Sequence, residues 1–98
     1  MKLESITKAT DGKHKYTAVF AEPRKTVHFG QATANDFTIY SKGDKKVAEE
    51  KKAAYLARHK VNEKFNSPTT AGALSRWILW NLPTVTASIK DFKKRFNL

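Results

Sequence analysis

The segment Thr70-Ala-Gly-Ala-Leu-Ser-Arg-Trp-Ile-Leu-Trp-Asn81 is mostly apolar and contains both tryptophans of the chain. At about 100° per residue, Leu74 and Ile78 share one face of a helix and Trp77 lies beside that face. Trp80 points almost opposite, so the helix is apolar on nearly all sides. Helices of this kind are usually buried or bound. The segment therefore predicts a helix that is either buried in the core or part of a cationic and aromatic surface that binds a polyanion.

The residues around this segment predict its ends and one further helix. Ser67 is a good N-cap and Pro68 suits the first helical position, so the helix is predicted over 68–82. The following Pro83 ends it. A last helix is predicted over 84–96, capped by Thr84, and its apolar stripe consists of Val85, Ile89, Phe92 and Phe96.

An earlier helix is predicted over 44–61, where strong helix formers occur without Gly or Pro. Ser41 or Asp44 can cap its N-terminus. Its expected core face is the heptad-spaced series Val47, Ala54 and Val61.

The first forty residues predict β-structure. Asp11-Gly12 signals a two-residue hairpin turn, and Glu22-Pro23-Arg24-Lys25 signals a second turn. Alternating residues between these turns indicate a half-buried strand. Phe37–Tyr40 is predicted as another short strand, with Phe37 and Ile39 on one face. The chain is thus predicted as a single α+β domain over 1–98, with a three- to four-stranded antiparallel meander over 1–40 and about three helices packed on one face.

The chain is strongly basic, with a formal net charge of +10, and it has no cysteine. Residues 1–49 carry a net charge of +3, and residues 50–98 carry +7. The missing cysteines exclude disulfides and thiolate chemistry. The N-terminus is too polar for a signal peptide, and no apolar run is long enough to span a membrane. Such charge favours an anionic partner, although a solvated basic surface is the alternative.

Lysines and arginines of the second half are the candidate phosphate contacts. On a helix face they would neutralise phosphates and release counterions, which predicts steep salt dependence. The alternative is that these are solvated helix faces. The candidate nucleic-acid-binding residues are Lys51, Lys52, Arg58, Lys60, Lys64, Arg76, Lys90, Lys93, Lys94 and Arg95.

The aromatic residues are divided between core and contact roles. Trp77 is expected in the core, whereas Trp80 leaves the buried face and is the candidate partner-binding residue, beside Arg76. An exposed Trp80 could stack on a base or anchor a protein interface. The aromatics at 16, 20, 29 and 37 are expected in the core, and an RNA-binding sheet would instead need them on an open face.

No catalytic constellation is recognisable, so the chain is expected not to be an enzyme, with no cofactor and no metal site. His14, His28 and His59 are scattered and lack metal-ligand spacing. They are interpreted as structural or surface residues, although a phosphate contact by His59 within Arg58-His59-Lys60 is conceivable. Gly30 is interpreted as a bulge or strand end rather than a phosphate-binding loop.

Several short motifs occur in a fixed order. They are Val27-His-Phe-Gly30, Asp36-Phe-Thr-Ile39, Tyr55-Leu-Ala-Arg-His59, Thr70–Asn81 and Pro83. The series resembles a family of small basic proteins of unknown function that large nucleocytoplasmic DNA viruses encode. The resemblance spans residues 25–95, with Thr70–Asn81 as its most specific part. It implies a viral origin and a setting in host cytoplasm or nucleus, viral factory or virion, and it implies no catalytic residue.

Charge and resemblance together predict a non-enzymatic viral protein that binds nucleic acid, DNA in the first place, through phosphate contacts. The alternative is a minor capsid or other virion assembly protein, in which Trp80 and Arg76 would anchor a viral capsid protein.

Overall fold

Three antiparallel strands form the N-terminal part of the fold in the computed structural model, which describes all residues 1–98. They are β1 (Lys2–Lys8), β2 (His14–Ala21) and β3 (Lys25–Gln31), in the spatial order β1-β2-β3. Helices follow the strands. The predicted α+β class and the antiparallel meander are therefore confirmed, with three strands, four α-helices and one π-helical turn.

The loop between β1 and β2 is longer than the predicted two-residue turn and spans residues 9–13. The Asp11 carboxylate accepts hydrogen bonds from the backbone N–H groups of Lys13 and His14, at 2.9 Å each. Gly12 has a φ of +72°. The Asp-Gly pair thus makes the turn, and the Asp11 side chain holds the backbone where the loop leads into β2.

One face of the sheet packs against the helices. Tyr16 lies opposite Phe29 on the neighbouring strand, and Ala18 lies opposite Val27. Phe20, Phe29 and Ala18 are fully buried, and Tyr16 and Val27 pack partly buried against them. The alternation in the sequence therefore gave the correct core face, and these aromatic side chains do not form an open RNA-binding face.

Phe37–Tyr40 is a short helix, α1, so the prediction of a strand there is wrong. The Asp36 side chain accepts hydrogen bonds from the backbone N–H groups of Thr38 and Ile39. This N-cap fixes a helical turn, which outweighs the β-propensity of the four residues. Phe37 is buried and Ile39 is 42% exposed, so the two do not share a face.

Helix α2 (Lys45–His59) begins at the predicted N-cap Asp44. Its predicted stripe is wrong by one residue, since Val47 is 42% exposed and Val61 is 78% exposed. Ala48 and Tyr55 are the buried residues of this helix. The large Tyr55 ring stacks on Trp80 in the core. Because this ring is buried, the helix is rotated so that Ala48 and Tyr55 face the core.

The predicted helix over 68–82 is shorter and less regular. Thr70, not Ser67, is the N-cap of α3 (Ala71–Leu74), and its Oγ1 accepts from the Ala73 N–H at 3.2 Å. A π-helical turn (Ser75–Leu79) follows directly, and the Trp80 N–H donates to the Ser75 carbonyl. A π turn takes up one residue more than an α turn. The α-helical phase that separated Trp80 from the buried face therefore does not apply.

Helix α4 (Val85–Arg95) confirms the prediction of a last amphipathic helix. The Thr84 side chain caps it by accepting from the Ala87 N–H. Phe92 is fully buried, and the other three residues of the predicted stripe pack partly buried against the core. None of the helices in the fold has the length and apolar character that crossing a membrane requires.

Candidate functional site

A cleft of about 640 Å³ is bounded by the sheet, helix α2 and the segment from α3 to the π turn. All three histidines of the chain line it: His14 from β2, His28 from β3 and His59 from the last turn of α2. Its size is typical of small-ligand sites. We name it the histidine cleft, and its other ionisable lining residues are Lys13, Lys15, Asp36, Tyr40, Lys51, Tyr55, Arg58 and Glu63.

An aromatic stack forms one wall of the histidine cleft. The Tyr55 ring lies 4.4 Å from the Trp80 ring, centroid to centroid, with 5° between the ring planes. The His59 ring stacks on Tyr55 at 4.2 Å. Burial raises the pKa of Tyr55 to about 12, and the nearby Glu63 carboxylate adds to the increase. The phenol is therefore neutral near physiological pH, and the stack fixes the orientation of the His59 ring.

The other two histidines face the cleft from adjacent strands, with ring centroids 5.7 Å apart. The Nδ1 atom of His14 lies 2.6 Å from Asp11 Oδ2, and that of His28 lies 2.8 Å from Thr17 Oγ1. The hydrogen bond from His14 holds the pKa of the Asp11 carboxyl well below its usual range. Neither ring uses its Nε2 atom in a hydrogen bond within the protein.

His59 has a looser polar partner. Its Nδ1 atom is 3.8 Å from Glu63 Oε1, which is beyond hydrogen-bond distance. The Glu63 side chain packs so closely over Gly72 that a Cβ at that glycine would collide with the carboxylate. No three His, Asp or Glu side chains are arranged to hold a metal ion.

The cations of the histidine cleft exceed its carboxylates. Lys15 Nζ lies 2.5 Å from Asp36 Oδ2, and both side chains are largely buried. Lys13, Lys51 and Arg58 make no ion pair. Four cations therefore face two carboxylates, Asp36 and Glu63, before any histidine is protonated. This excess of positive charge favours the binding of an anion in the cleft.

Seven of the ten predicted nucleic-acid-binding residues are exposed and make neither an ion pair nor a side-chain hydrogen bond. Lys51 and Arg58 line the histidine cleft, and the others lie outside it. The seven are Lys51, Arg58, Lys60, Lys64, Lys90, Lys93 and Lys94.

The remaining three are engaged in internal contacts. Lys52 Nζ donates to the Asn81 carbonyl at 2.8 Å, and burial lowers the pKa of Lys52. Arg76 Nη1 donates to the Trp80 carbonyl at 2.7 Å, and burial, with nearby Arg95, lowers the pKa of Arg76. Lys52 and Arg76 therefore stabilise the junction of α2 and the π turn.

The Trp77 ring contacts the guanidinium groups of Arg76 and of Arg95, the third of these residues. The guanidinium carbons of Arg76 and Arg95 lie 4.1 and 3.9 Å from its ring centroid, and Arg95 also approaches Asp91 at 3.5 Å. The Trp77 indole N–H donates to the Phe65 carbonyl at 2.8 Å. Trp77 is half-buried against the core, close to the predicted role.

Trp80 is 9% exposed, so the prediction that its ring leaves the buried face is wrong. The π turn brings it into the core, against Tyr55 and Tyr40. The part of Trp80 that remains accessible lines the histidine cleft.

From the sequence alone the three histidines are treated as scattered, and the fold places them in one cleft. The turn at 22–25 contained a usable signal, because a hairpin that pairs Phe20 with Lys25 also pairs Thr17 with His28. That register places His14 near His28. The approach of His59 depends on the packing of α2, for which the sequence has no local signal.

The comparison with known proteins assigns the chain to a family. The model of a family of unknown function, DUF5754, matches residues 4–59, more than half of the chain, and the chain belongs to this family. The match runs from within β1 to the end of α2 and contains all three histidines. It includes the first strands, which the predicted resemblance left out, and it does not include Thr70–Asn81. No curated protein and no solved structure matches the chain.

Proposed function

We propose that this protein is a non-enzymatic nucleic-acid-binding protein that contacts DNA phosphates without reading bases. The observation that carries this proposal is that seven cations of the second half are exposed and have no carboxylate partner. Unpaired lysines and arginines displace the condensed counterions of DNA, and this release drives non-specific binding. Their charge would otherwise only destabilise the compact chain.

Helix α4 provides the most compact group of these cations. Lys90, Lys93 and Lys94 have the i, i+3, i+4 spacing that places side chains on one side of a helix. Phe92 occupies the buried side. We therefore infer that α4 lies along the DNA backbone with these lysines toward phosphates.

A viral origin is part of the proposal and rests on the motif series over residues 25–95. In a large nucleocytoplasmic DNA virus, the protein would meet the genome in host cytoplasm or nucleus, in the viral factory or in the virion. The alternative role of a minor capsid or assembly protein was based on Trp80 as an anchor. Because Trp80 is buried, nucleic-acid binding has the better support.

Titration of labelled duplex DNA at several salt concentrations tests the proposal. We expect log affinity to fall linearly with log salt, by about 0.9 per phosphate contact. Replacement of Lys90, Lys93 and Lys94 with Gln should reduce that slope by up to about 3. The matched control replaces Lys2, Lys8 and Lys25 with Gln, since these exposed strand lysines carry the same total charge.

Binding that ignores salt, or no binding at low salt, would contradict the proposal. Equal effects of the two triple variants would contradict the assignment to α4, because net charge alone would then explain the affinity. Stable association with a capsid component that survives nuclease treatment would favour the assembly role.

A further inference from the structure

We propose that the histidine cleft binds a phosphate monoester, the group that mononucleotides and the 5′ ends of nucleic-acid strands share, and that binding strengthens from pH 8 to about pH 6. The proposal concerns a concave site that is separate from the α4 lysines and does not depend on the proposed DNA contact.

The histidine cleft contains ring nitrogens that are not used in hydrogen bonds within the protein. In each of the three histidines the Nε2 atom has no hydrogen-bond partner within the protein. For two of them, Nδ1 is already held, by Asp11 in His14 and by Thr17 in His28. A protonated imidazole held in this way donates from Nε2, and a phosphate oxygen is a strong acceptor for such charged donors.

The residues that line the cleft carry more positive than negative charge. The two carboxylates that line the cleft are Asp36, which pairs with Lys15, and Glu63, which lies 3.8 Å from His59 Nδ1. The Tyr55 phenol is neutral near physiological pH, because burial raises its pKa to about 12. The cations without a carboxylate partner are Lys13, Lys51 and Arg58.

The chemistry of the two partners sets the pH dependence. Histidine is ordinarily protonated below about pH 6.5. A phosphate monoester ordinarily keeps its second negative charge above about pH 6. Opposite charges on an imidazole and a phosphate monoester are therefore greatest near pH 6.

Each of the three histidine rings of the cleft stacks on another ring. His59 is held by its stack on Tyr55 and Trp80, and the other two rings stack on each other across paired strands. Groups that are already ordered lose little conformational entropy when a ligand binds. The volume of about 640 Å³ admits a nucleotide-sized ligand.

Calorimetric titration with four probes tests the proposal: inorganic phosphate, adenosine monophosphate, and one short single strand with and without a 5′-phosphate. We expect adenosine monophosphate to bind about tenfold more tightly at pH 6 than at pH 8, and the 5′-phosphate to increase the affinity of the strand. The histidine ring signals in NMR spectra should shift on binding. A gain in strand affinity from the 5′-phosphate would identify a strand end as the source, because the exposed lysines contribute equally to both strands, and mononucleotide binding without that gain would identify a free nucleotide.

A matched pair of double variants assigns the binding to the cleft. His28→Gln with Arg58→Gln removes two exposed cleft groups and should weaken adenosine monophosphate binding at pH 6 at least fivefold. Lys60→Gln with Lys64→Gln removes two exposed cations that do not line the cleft and should leave it unchanged. Equal effects of the two pairs, affinity that ignores the phosphate, or affinity that ignores pH would overturn the proposal.

Two further variants separate this proposal from the DNA contact. The Gln variant of Lys90, Lys93 and Lys94 should bind adenosine monophosphate normally, and His28→Gln alone should bind duplex DNA normally. Loss of monoester binding in the α4 variant would overturn the cleft as the site, whatever happens to duplex binding.

Discussion

Gly30 is the residue at which the sheet and the helical layer come closest. Its φ is +79°, a backbone conformation that residues with a side chain rarely adopt. A Cβ at Gly30 would lie 2.7 Å from Leu79 Cδ1 and 3.2 Å from the Lys15 Cβ. Leu79 is buried in the π turn, at the edge of the histidine cleft. The lone glycine that the sequence suggested as a bulge or strand end thus permits two layers to pack.

The variant Gly30→Ala should therefore destabilise the protein by about 2–4 kcal/mol, from backbone strain of about 1–2 kcal/mol together with overpacking. Gly12→Ala is the matched control, because Gly12 has a φ of +72° and a Cβ there would meet nothing within 4 Å. Gly12→Ala should therefore lower the free energy of unfolding only by the backbone strain of about 1–2 kcal/mol. Denaturant unfolding measures both, and equal losses would show that contact with Leu79 is unimportant.

Two N-capping aspartates show how differently the same local signal acts in two elements. Asp44 caps α2 at the surface, and the sequence was sufficient to locate it. Asp36 caps α1, is 3% exposed and also binds Lys15 from β2. The second capping role was missed because the residues from Phe37 to Tyr40 have the composition of a strand. Only the buried lysine partner distinguishes this position.

Asp36→Ala should therefore cost about 3 kcal/mol, since it removes a cap and leaves the Lys15 ammonium buried without its partner. Asp44→Ala should cost about 1 kcal/mol, the usual cost of losing an exposed cap. Chemical denaturation of the two variants provides the comparison. Adding Lys15→Met to Asp36→Ala should restore part of the loss, and an unchanged loss would exclude the buried charge as its cause.

At the scale of the whole molecule, positive charge is far in excess. The net charge is +10, and the structure has five ion pairs, two of which involve histidine. Most cations therefore repel one another. Salt screens this repulsion beyond the Debye length, which is about 10 Å at 0.1 M. Folding has to overcome this repulsion.

Sodium chloride should consequently stabilise the protein in the absence of any ligand. We expect about 1 kcal/mol between low and moderate salt, which corresponds to an increase of about 4–8 °C in the melting temperature of a chain of this size. A variant with Gln at positions 2, 8, 25, 90, 93 and 94 has a net charge of +4 and should show a smaller increase. Thermal scans at fixed pH measure both, and an equal increase would point to a specific ion effect instead of screening.

The sequence predicted best those features that depend on neighbouring residues. Alternation in β2 and the stripe of α4 follow from local periodicity, and both are confirmed. The π turn was missed because one residue of extra length in a turn leaves no local pattern. Trp80 was consequently placed on the wrong side. The histidine cleft was missed for a related reason, since its members come from three elements that only the folded chain brings together.

The stack of Tyr55 on Trp80 crosses the end of the family match at His59. The Lys52 bond to the Asn81 carbonyl crosses the same point, and Phe92 fills the core from still further along the chain. Residues 4–59 thus do not contain the whole core of this chain, because side chains beyond His59 complete it.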